Sequence, residues 1–239
     1  MKLRHGLVAF SSSGTRGPRT YEEVSAEYYN ERLHPTCSDF RAASRLYLKQ
    51  VFEAESPRGR IADIGCGQSL VAEFVTEDLV LIDESPAMLR LNSGLHEQRQ
   101  LNIIEAEFGK DEFDWIISVL GDPYNGIEAW KNIHAALKVG GRCIFISPSY
   151  VWAYNFRLST NSEVSGKARF DLSSGKTIFV PSTILPAAEQ KQLINASGLN
   201  VERVEHVVVG NIGDIKSKKI LESLRSDEPV LDIYRVRKV

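Results

Sequence analysis

The sequence predicts an α/β protein, a mostly parallel sheet with helices on both faces. Three observations carry this. Short apolar runs recur at Arg60–Ile64, Leu79–Ile82, Leu101–Ile104, Phe113–Leu120 and Arg142–Ser147. Helical patterns separate them, the arrangement that gives strands buried on both faces. A glycine-rich turn follows the first run and an acid closes the second, as in sheets that bind nucleotides at their carboxyl edge.

With 239 residues the chain is long enough for one substantial core and additions to it. Hydrophobic residues make up 43% and charged residues 25%, the balance of a soluble globular protein. No run of about twenty apolar residues suggests a spanning helix, and Leu7 to Phe10 is too short for a secretory core. Three widely spaced cysteines cannot form a paired framework, so reduced thiols and a cytoplasmic location are expected. A net charge of −2 draws the chain to neither nucleic acid nor an anionic membrane.

The first twenty residues, rich in Gly, Ser, Arg and Pro, read as a mobile lead-in. Thr20 with Glu23 three residues later has the form of a capping box, with Tyr21, Val24 and Tyr28 on one side of the helix that follows. A second helix is expected over Asp39–Glu53. Residues 1–53 thus form a lead-in and a helical lid, and residues 54–239 the main domain. Further helices are expected at Ser69–Val75, Pro86–Leu95, Ile127–Leu137, Ser182–Ser197 and Ile215–Leu224. Val201–Val209 and Leu231–Val236 read as the sixth and seventh strands. Between the fifth strand and the Ser182 helix lies an insertion of about residues 148–181, aromatic and polar, with a short strand at Thr177–Val180.

The strongest local signal is Arg60–Ser69, R-I-A-D-I-G-C-G-Q-S. Asp63, Gly65 and Gly67 sit where the first strand turns, and the glycines let backbone approach a ligand closely. Asp83, eighteen residues beyond Gly65, ends a strand written L-V-L-I-D and is placed to accept ribose hydroxyls. Turn and acid by themselves fit a nicotinamide cofactor as well.

Four segments resemble class I S-adenosylmethionine-dependent methyltransferases. Ile61–Ser69 is similar to their first motif, with Ser69 where a third glycine is common. Asp83–Leu89, D-E-S-P-A-M-L, is similar to their acidic loop. Phe113–Ser118 resembles their fourth strand, and Leu137–Arg142 their L-K-P-G-G turn. The resemblance implies seven strands, the last inserted antiparallel between the fifth and sixth, and S-adenosylmethionine as cofactor. It implies that Asp63 and Gly65 lie by the methionine portion and that Asp83 binds the ribose. It places Glu84 or Met88 beside the adenine, and Glu105 or Glu107 on the adenine amine.

Methyl transfer requires a nucleophile held in line with the methyl, and a base only where the acceptor is a weak nucleophile. After the fourth strand comes G-D-P-Y-N. Asp122 and Tyr124 are the candidate catalytic residues, to orient an amine and stack on a planar substrate. The segment resembles the (D/N/S)-P-P-(Y/F) motif of amino-methyltransferases, one proline short; a plain turn is the other reading. In the insertion, Tyr150, Trp152, Tyr154, Phe156, Arg157 and Arg169 either bind an acceptor or pack on the sheet. His34, a weaker candidate base, precedes Pro35. Histidines and cysteines show no zinc spacing. A small-molecule methyltransferase leads. A nucleobase methyltransferase and a non-catalytic cofactor-binding module are the rivals.

Overall fold

The computed structural model describes residues 20–160 and 166–239. The lead-in, and residues 161–165 of the insertion, lie outside the described residues. At the centre is a seven-stranded sheet: β1 (Ile61–Ile64), β2 (Leu79–Asp83), β3 (Glu97–Gln100), β4 (Phe113–Val119), β5 (Leu137–Pro148), β8 (Leu199–Val208) and β9 (Pro229–Lys238). Its order is β3-β2-β1-β4-β5-β9-β8. The first five strands are parallel, and β9 runs antiparallel between β5 and β8, as expected.

Alternation along each strand divides the core. Ile61, Leu79, Leu81, Ile117, Ile144, Leu231 and Ile233 face α2 (Pro35–Glu55), α5 (Tyr150–Thr160) and α7 (Lys218–Leu221). Ala62, Ile64, Val80, Ile82, Ile116, Phe145 and Tyr234 face α4 (Ile127–Ala136) and α6 (Ala187–Ala196). Both faces are covered, which is why these strands read as nearly continuous apolar runs. α2 begins with Pro35 in its first turn and ends at Ser56 in the left-handed conformation. It packs Phe40, Ala43, Tyr47, Leu48 and Val51 into the sheet's core.

Five expectations are corrected. The third strand is Glu97–Gln100, not Leu101–Ile104. β3 is an edge strand, and its polar side chains face solvent and ion pairs such as Arg99–Glu112. The apolar Ile103 instead packs in the turn beyond it. The helix expected at Ser69–Val75 is a single 3-10 turn, Val71–Glu73. Side chains hold the backbone that would have continued it: Asn92 accepts the Ser69 N–H and donates to the Gly67 carbonyl. The helix expected from Ser182 starts only at Ala187. The Thr183 N–H is bonded to the Asp122 carbonyl and its carbonyl to Asn125, which keeps this stretch extended. The helices expected at Pro86–Leu95 and Ile215–Leu224 are likewise single turns, α3 (Pro86–Leu89) and α7, each capped by a serine, Ser85 and Ser217.

The insertion adds α5 and a hairpin, β6 (Lys167–Asp171) with β7 (Thr177–Pro181). β7 is the strand expected at Thr177–Val180; α5 and β6 were not foreseen. In front of the hairpin lies α1 (Thr20–Val24). Val24, Phe170, Ile178 and Val180 form a small separate core, with Tyr21, Tyr28 and Cys37 against it. Among the described residues no helix is long and apolar enough to cross a membrane.

Candidate active site

β1 delivers the glycine-rich turn to the carboxyl edge of the sheet. Gly65 and Gly67 are both left-handed, with φ of 61° and 49°. A Cβ on Gly65 would stand 2.4 Å from Tyr124 Cε1, and one on Gly67 2.1 Å from Tyr29 Oη. Neither position admits a side chain. Ser69, where a third glycine is common, donates its hydroxyl to Asp63 Oδ2 at 2.6 Å and accepts the Ala72 N–H. Glycine could do neither.

Asp63 is 1% exposed. Its Oδ1 is buried with no hydrogen-bond partner among the described residues. Burial is the main cause that pushes its carboxyl up to about 7; Ser69 and Arg41 oppose this and Asp83 adds to it. An unpartnered buried oxygen costs stability until something donates to it. Asp83 is buried too, and both its oxygens hold backbone: Oδ2 accepts the Gly67 N–H and Oδ1 the Ser85 N–H, each at 2.9 Å. Burial raises its pKa and those two bonds pull it down. Each carboxylate oxygen retains a lone pair for a hydroxyl.

The other expected cofactor residues separate. Met88 is buried, its Sδ 3.9 Å from the Tyr29 hydroxyl that donates to it. Glu84 is exposed and accepts from Asn102 at 2.8 Å. Glu105 is exposed in the turn after β3, its N–H bonded to the Asn102 carbonyl. The lid supplies residues that no motif marked. Glu22 accepts from the Ser85 hydroxyl and the Ala87 N–H, so α1 is tied to the acidic loop itself.

At the end of β4, Leu120 is left-handed with φ of 56°, an uncommon and strained state for a branched side chain. Gly121 follows because a Cβ there would meet Ser118 Oγ at 2.1 Å and Phe145 at 2.4 Å. This kink presents Asp122, buried, whose Oδ2 accepts the Ser182 hydroxyl at 2.6 Å. Tyr124 turns the other way. Its hydroxyl donates to the Ile64 carbonyl at 2.6 Å, lies 2.7 Å from Ser118 Oγ, and its ring covers Gly65. Its contacts are those of a support beneath the turn.

Tyr21, Tyr28 and Cys37 keep some solvent-accessible surface, yet burial raises all three pKa values, that of Cys37 to about 12. The carboxylate of Asp122 contributes to each of those shifts, and that of Asp83 to the shift of Tyr21. Tyr21, Tyr28 and Cys37 therefore lie within electrostatic reach of Asp122. His34 is 9% exposed, with Nε2 buried and unpartnered and its ring against Phe170. Burial lowers its pKa, so it is neutral at physiological pH. Of the insertion's aromatics, Trp152 and Phe156 stack on each other in the core, and Arg169 pairs with Asp171.

No family model and no curated protein matches the chain. Solved structures do. The complex of DhpI with SAM and HEP is 17% identical, covering 91% of this chain and 94% of its own, with a TM-score of 0.63. An S-adenosylmethionine-dependent methyltransferase from Clostridium acetobutylicum is 13% identical, covering 91% and 98%, at 0.59. The Burkholderia thailandensis 1,6-didemethyltoxoflavin-N1-methyltransferase, with bound 1,6-didemethyltoxoflavin and S-adenosylhomocysteine, is 14% identical, covering 95% and 92%, at 0.53. The fold is that of the class I S-adenosylmethionine-dependent methyltransferases. On the methyltransferase fold, Asp63, Gly65, Gly67 and Asp83 all gather at the carboxyl ends of β1 and β2, beside the end of β4.

Proposed function

We propose that the chain is an S-adenosylmethionine-dependent methyltransferase acting on a small molecule. One observation carries the cofactor: the buried, unpartnered oxygen of Asp63 stands beside two left-handed glycines and Asp83. These residues fit S-adenosylmethionine. Asp63 would receive its ammonium, the bare Gly65–Gly67 backbone its aliphatic portion, and Asp83 its ribose hydroxyls, with Met88 beside the base. When bound, the cofactor supplies an electrophilic methyl on a sulfonium.

What remains for the chain is orientation and exclusion of water. Asp122, held by Ser182 at the mouth of β4, accepts a hydrogen from the acceptor and aims its lone pair. The lid is bonded to the β6–β7 hairpin, Glu27 to Ser173 and Glu23 to Lys176. A lid tied on one side to the loop after β2 and on the other to the hairpin suits a small acceptor. Trp152 and Phe156 pack inward and Arg169 is ion-paired, which leaves Tyr154 and Phe179 as the insertion's exposed aromatics and weighs against a broad nucleic-acid platform. We place the protein in the cytoplasm, in keeping with its three free cysteines.

The test is calorimetry with S-adenosylhomocysteine, followed by transfer of labelled methyl to pooled metabolites and to RNA. Binding with transfer to a metabolite is expected. Transfer to RNA alone overturns the acceptor class, binding without any transfer supports a non-catalytic module, and no binding overturns the cofactor.

A further inference from the structure

Tyr21 sits on α1, which is fixed on two sides. Glu22, next to it, accepts from the Ser85 hydroxyl and the Ala87 N–H, and the Ser85 N–H is itself held by Asp83 Oδ1. Val24, one turn on, is buried against Phe170, Ile178 and Val180 of the hairpin, with Tyr21 packed on the same cluster. Two residues beyond Val180, the Ser182 hydroxyl donates to Asp122 at 2.6 Å. α1 thus bridges the loop that follows Asp83 and the strand end that holds Asp122.

The fold itself uses two of the three lid tyrosines. Tyr28 is stacked on Phe170, ring centroids 5.6 Å apart, and the Tyr29 hydroxyl is shared between the Gln68 N–H and Met88. Tyr21 is half-buried, its ring edge-on to Tyr28 at 6.4 Å, and its hydroxyl has no hydrogen-bond partner among the described residues. Burial first, then the carboxylates of Asp122 and Asp83, hold its pKa well above the ordinary value. The phenol therefore keeps its proton and has it to donate. Asp122, a carboxylate, can only accept, and its oxygens take more than one hydrogen bond each. A fixed donor and a fixed acceptor within electrostatic reach of each other complement a ligand edge on which an acceptor adjoins a donor. An N–H beside a carbonyl is such an edge; a lone amine or a lone carbonyl uses half of it.

We propose that Tyr21 is a further acceptor-binding residue, and that the methyl acceptor is a small cyclic amide, its N–H on Asp122 and its neighbouring carbonyl on the Tyr21 hydroxyl. The inference rests on the methyltransferase reading above and names the substrate class of that site. In the step, the amide nitrogen forms its bond to the methyl carbon as the sulfur–methyl bond breaks with its pair staying on sulfur, and the N–H proton passes to Asp122. Tyr21 keeps its own proton and fixes which ring nitrogen faces the methyl.

The experiment uses the full chain and begins with labelled methyl transfer to two panels. Uracil, lumazine and 2-quinolone carry the whole edge; aniline, phenol and 1-methyl-2-quinolone carry half of it or less. Transfer confined to the first panel is expected. For the best of those acceptors, Tyr21→Phe should raise KM by about tenfold, and should weaken its calorimetric binding to the S-adenosylhomocysteine complex as much. Affinity for S-adenosylhomocysteine itself should stay within about twofold, and the melting temperature should not fall, because the hydroxyl bonds nothing in the fold. Transfer to the second panel, or to neither, overturns the acceptor class. Unchanged KM and acceptor binding in Tyr21→Phe, equal loss of S-adenosylhomocysteine, or a lowered melting temperature overturns the role of Tyr21 while the cofactor reading stands. A wild type that does not bind S-adenosylhomocysteine overturns the cofactor reading and the proposal with it.

Discussion

Replacing Asp63 by asparagine removes a buried charge and keeps the side chain's shape. Burial holds the Asp63 carboxyl at about 7, up from its ordinary 3.8. A group whose folded value is raised binds its proton more tightly in the folded chain. Its contribution is therefore fully present below about pH 4 and is lost as pH rises through about 7. Over that window the ligand-free wild type loses about 4 kcal/mol, at about 1.4 kcal/mol for each pH unit. In Asp63→Asn an amide oxygen still accepts from Ser69, and an NH2 replaces the unpartnered Oδ1 at a cost of about 1–3 kcal/mol. The variant should be the more stable chain at pH 8, by about 1–3 kcal/mol, and come within about 1 kcal/mol of wild type at pH 5. Urea unfolding at the two pH values, without ligand, measures both differences. Calorimetry adds a second check: a ligand ammonium favours the charged carboxylate, so wild-type affinity for S-adenosylhomocysteine should rise with pH towards 7, with proton release. In the variant that dependence should vanish and the affinity drop. Identical pH dependence of stability in the two proteins would refute the account of Asp63 as a strained buried charge.

Asp83→Asn should strand one of the Gly67 and Ser85 N–H groups, lowering stability by about 1–3 kcal/mol, and weaken S-adenosylhomocysteine by about tenfold; unchanged affinity would remove Asp83 from the site. Tyr124→Phe should cost about 1–3 kcal/mol through its lost bonds to Ile64 and Ser118, with the acceptor KM unchanged. A raised KM in a stable Tyr124→Phe protein would show instead that its hydroxyl contacts the acceptor. Asp122→Asn should keep cofactor affinity within about twofold while turnover at saturating cofactor falls by about tenfold or more, the mark of an interaction made mainly in the transition state. Wild-type turnover in that variant, with a lowered melting temperature, would reduce Asp122 to a turn residue held by Ser182.

Local signals were read correctly where the physics is local. β1, β2, β4 and β5 are apolar on both faces, so composition alone marks them. Asp63, Gly65 and Gly67 share one strand and its turn, and Asp83 closes the neighbouring strand in register with them. β3 escaped because an edge strand needs no apolar side chains, while Ile103 beyond it supplied the apolar signal. α5 escaped because its Trp152 and Phe156 serve a core that the insertion's composition does not reveal. Tyr29, Arg41 and Ser182 carried no motif at all, and their partners Gln68 and Asp122 lie far along the chain.

The sequence by itself determined the buried strands β1, β2, β4 and β5 and the glycine turn after β1, because strand period and glycine conformation act between near neighbours, and the closing antiparallel strand was legible through the family resemblance. Only the tertiary structure decided the division of labour around that turn. Tyr124 and Asp122 are two residues apart, yet the kink at Leu120 sends the first beneath Gly65 and the second to the mouth of β4. Asp63 carries a raised pKa because α2 and the sheet bury it, and Arg41 faces the turn because α2 packs where it does. Burial and distance are properties of the assembled chain, and no window of sequence contains them.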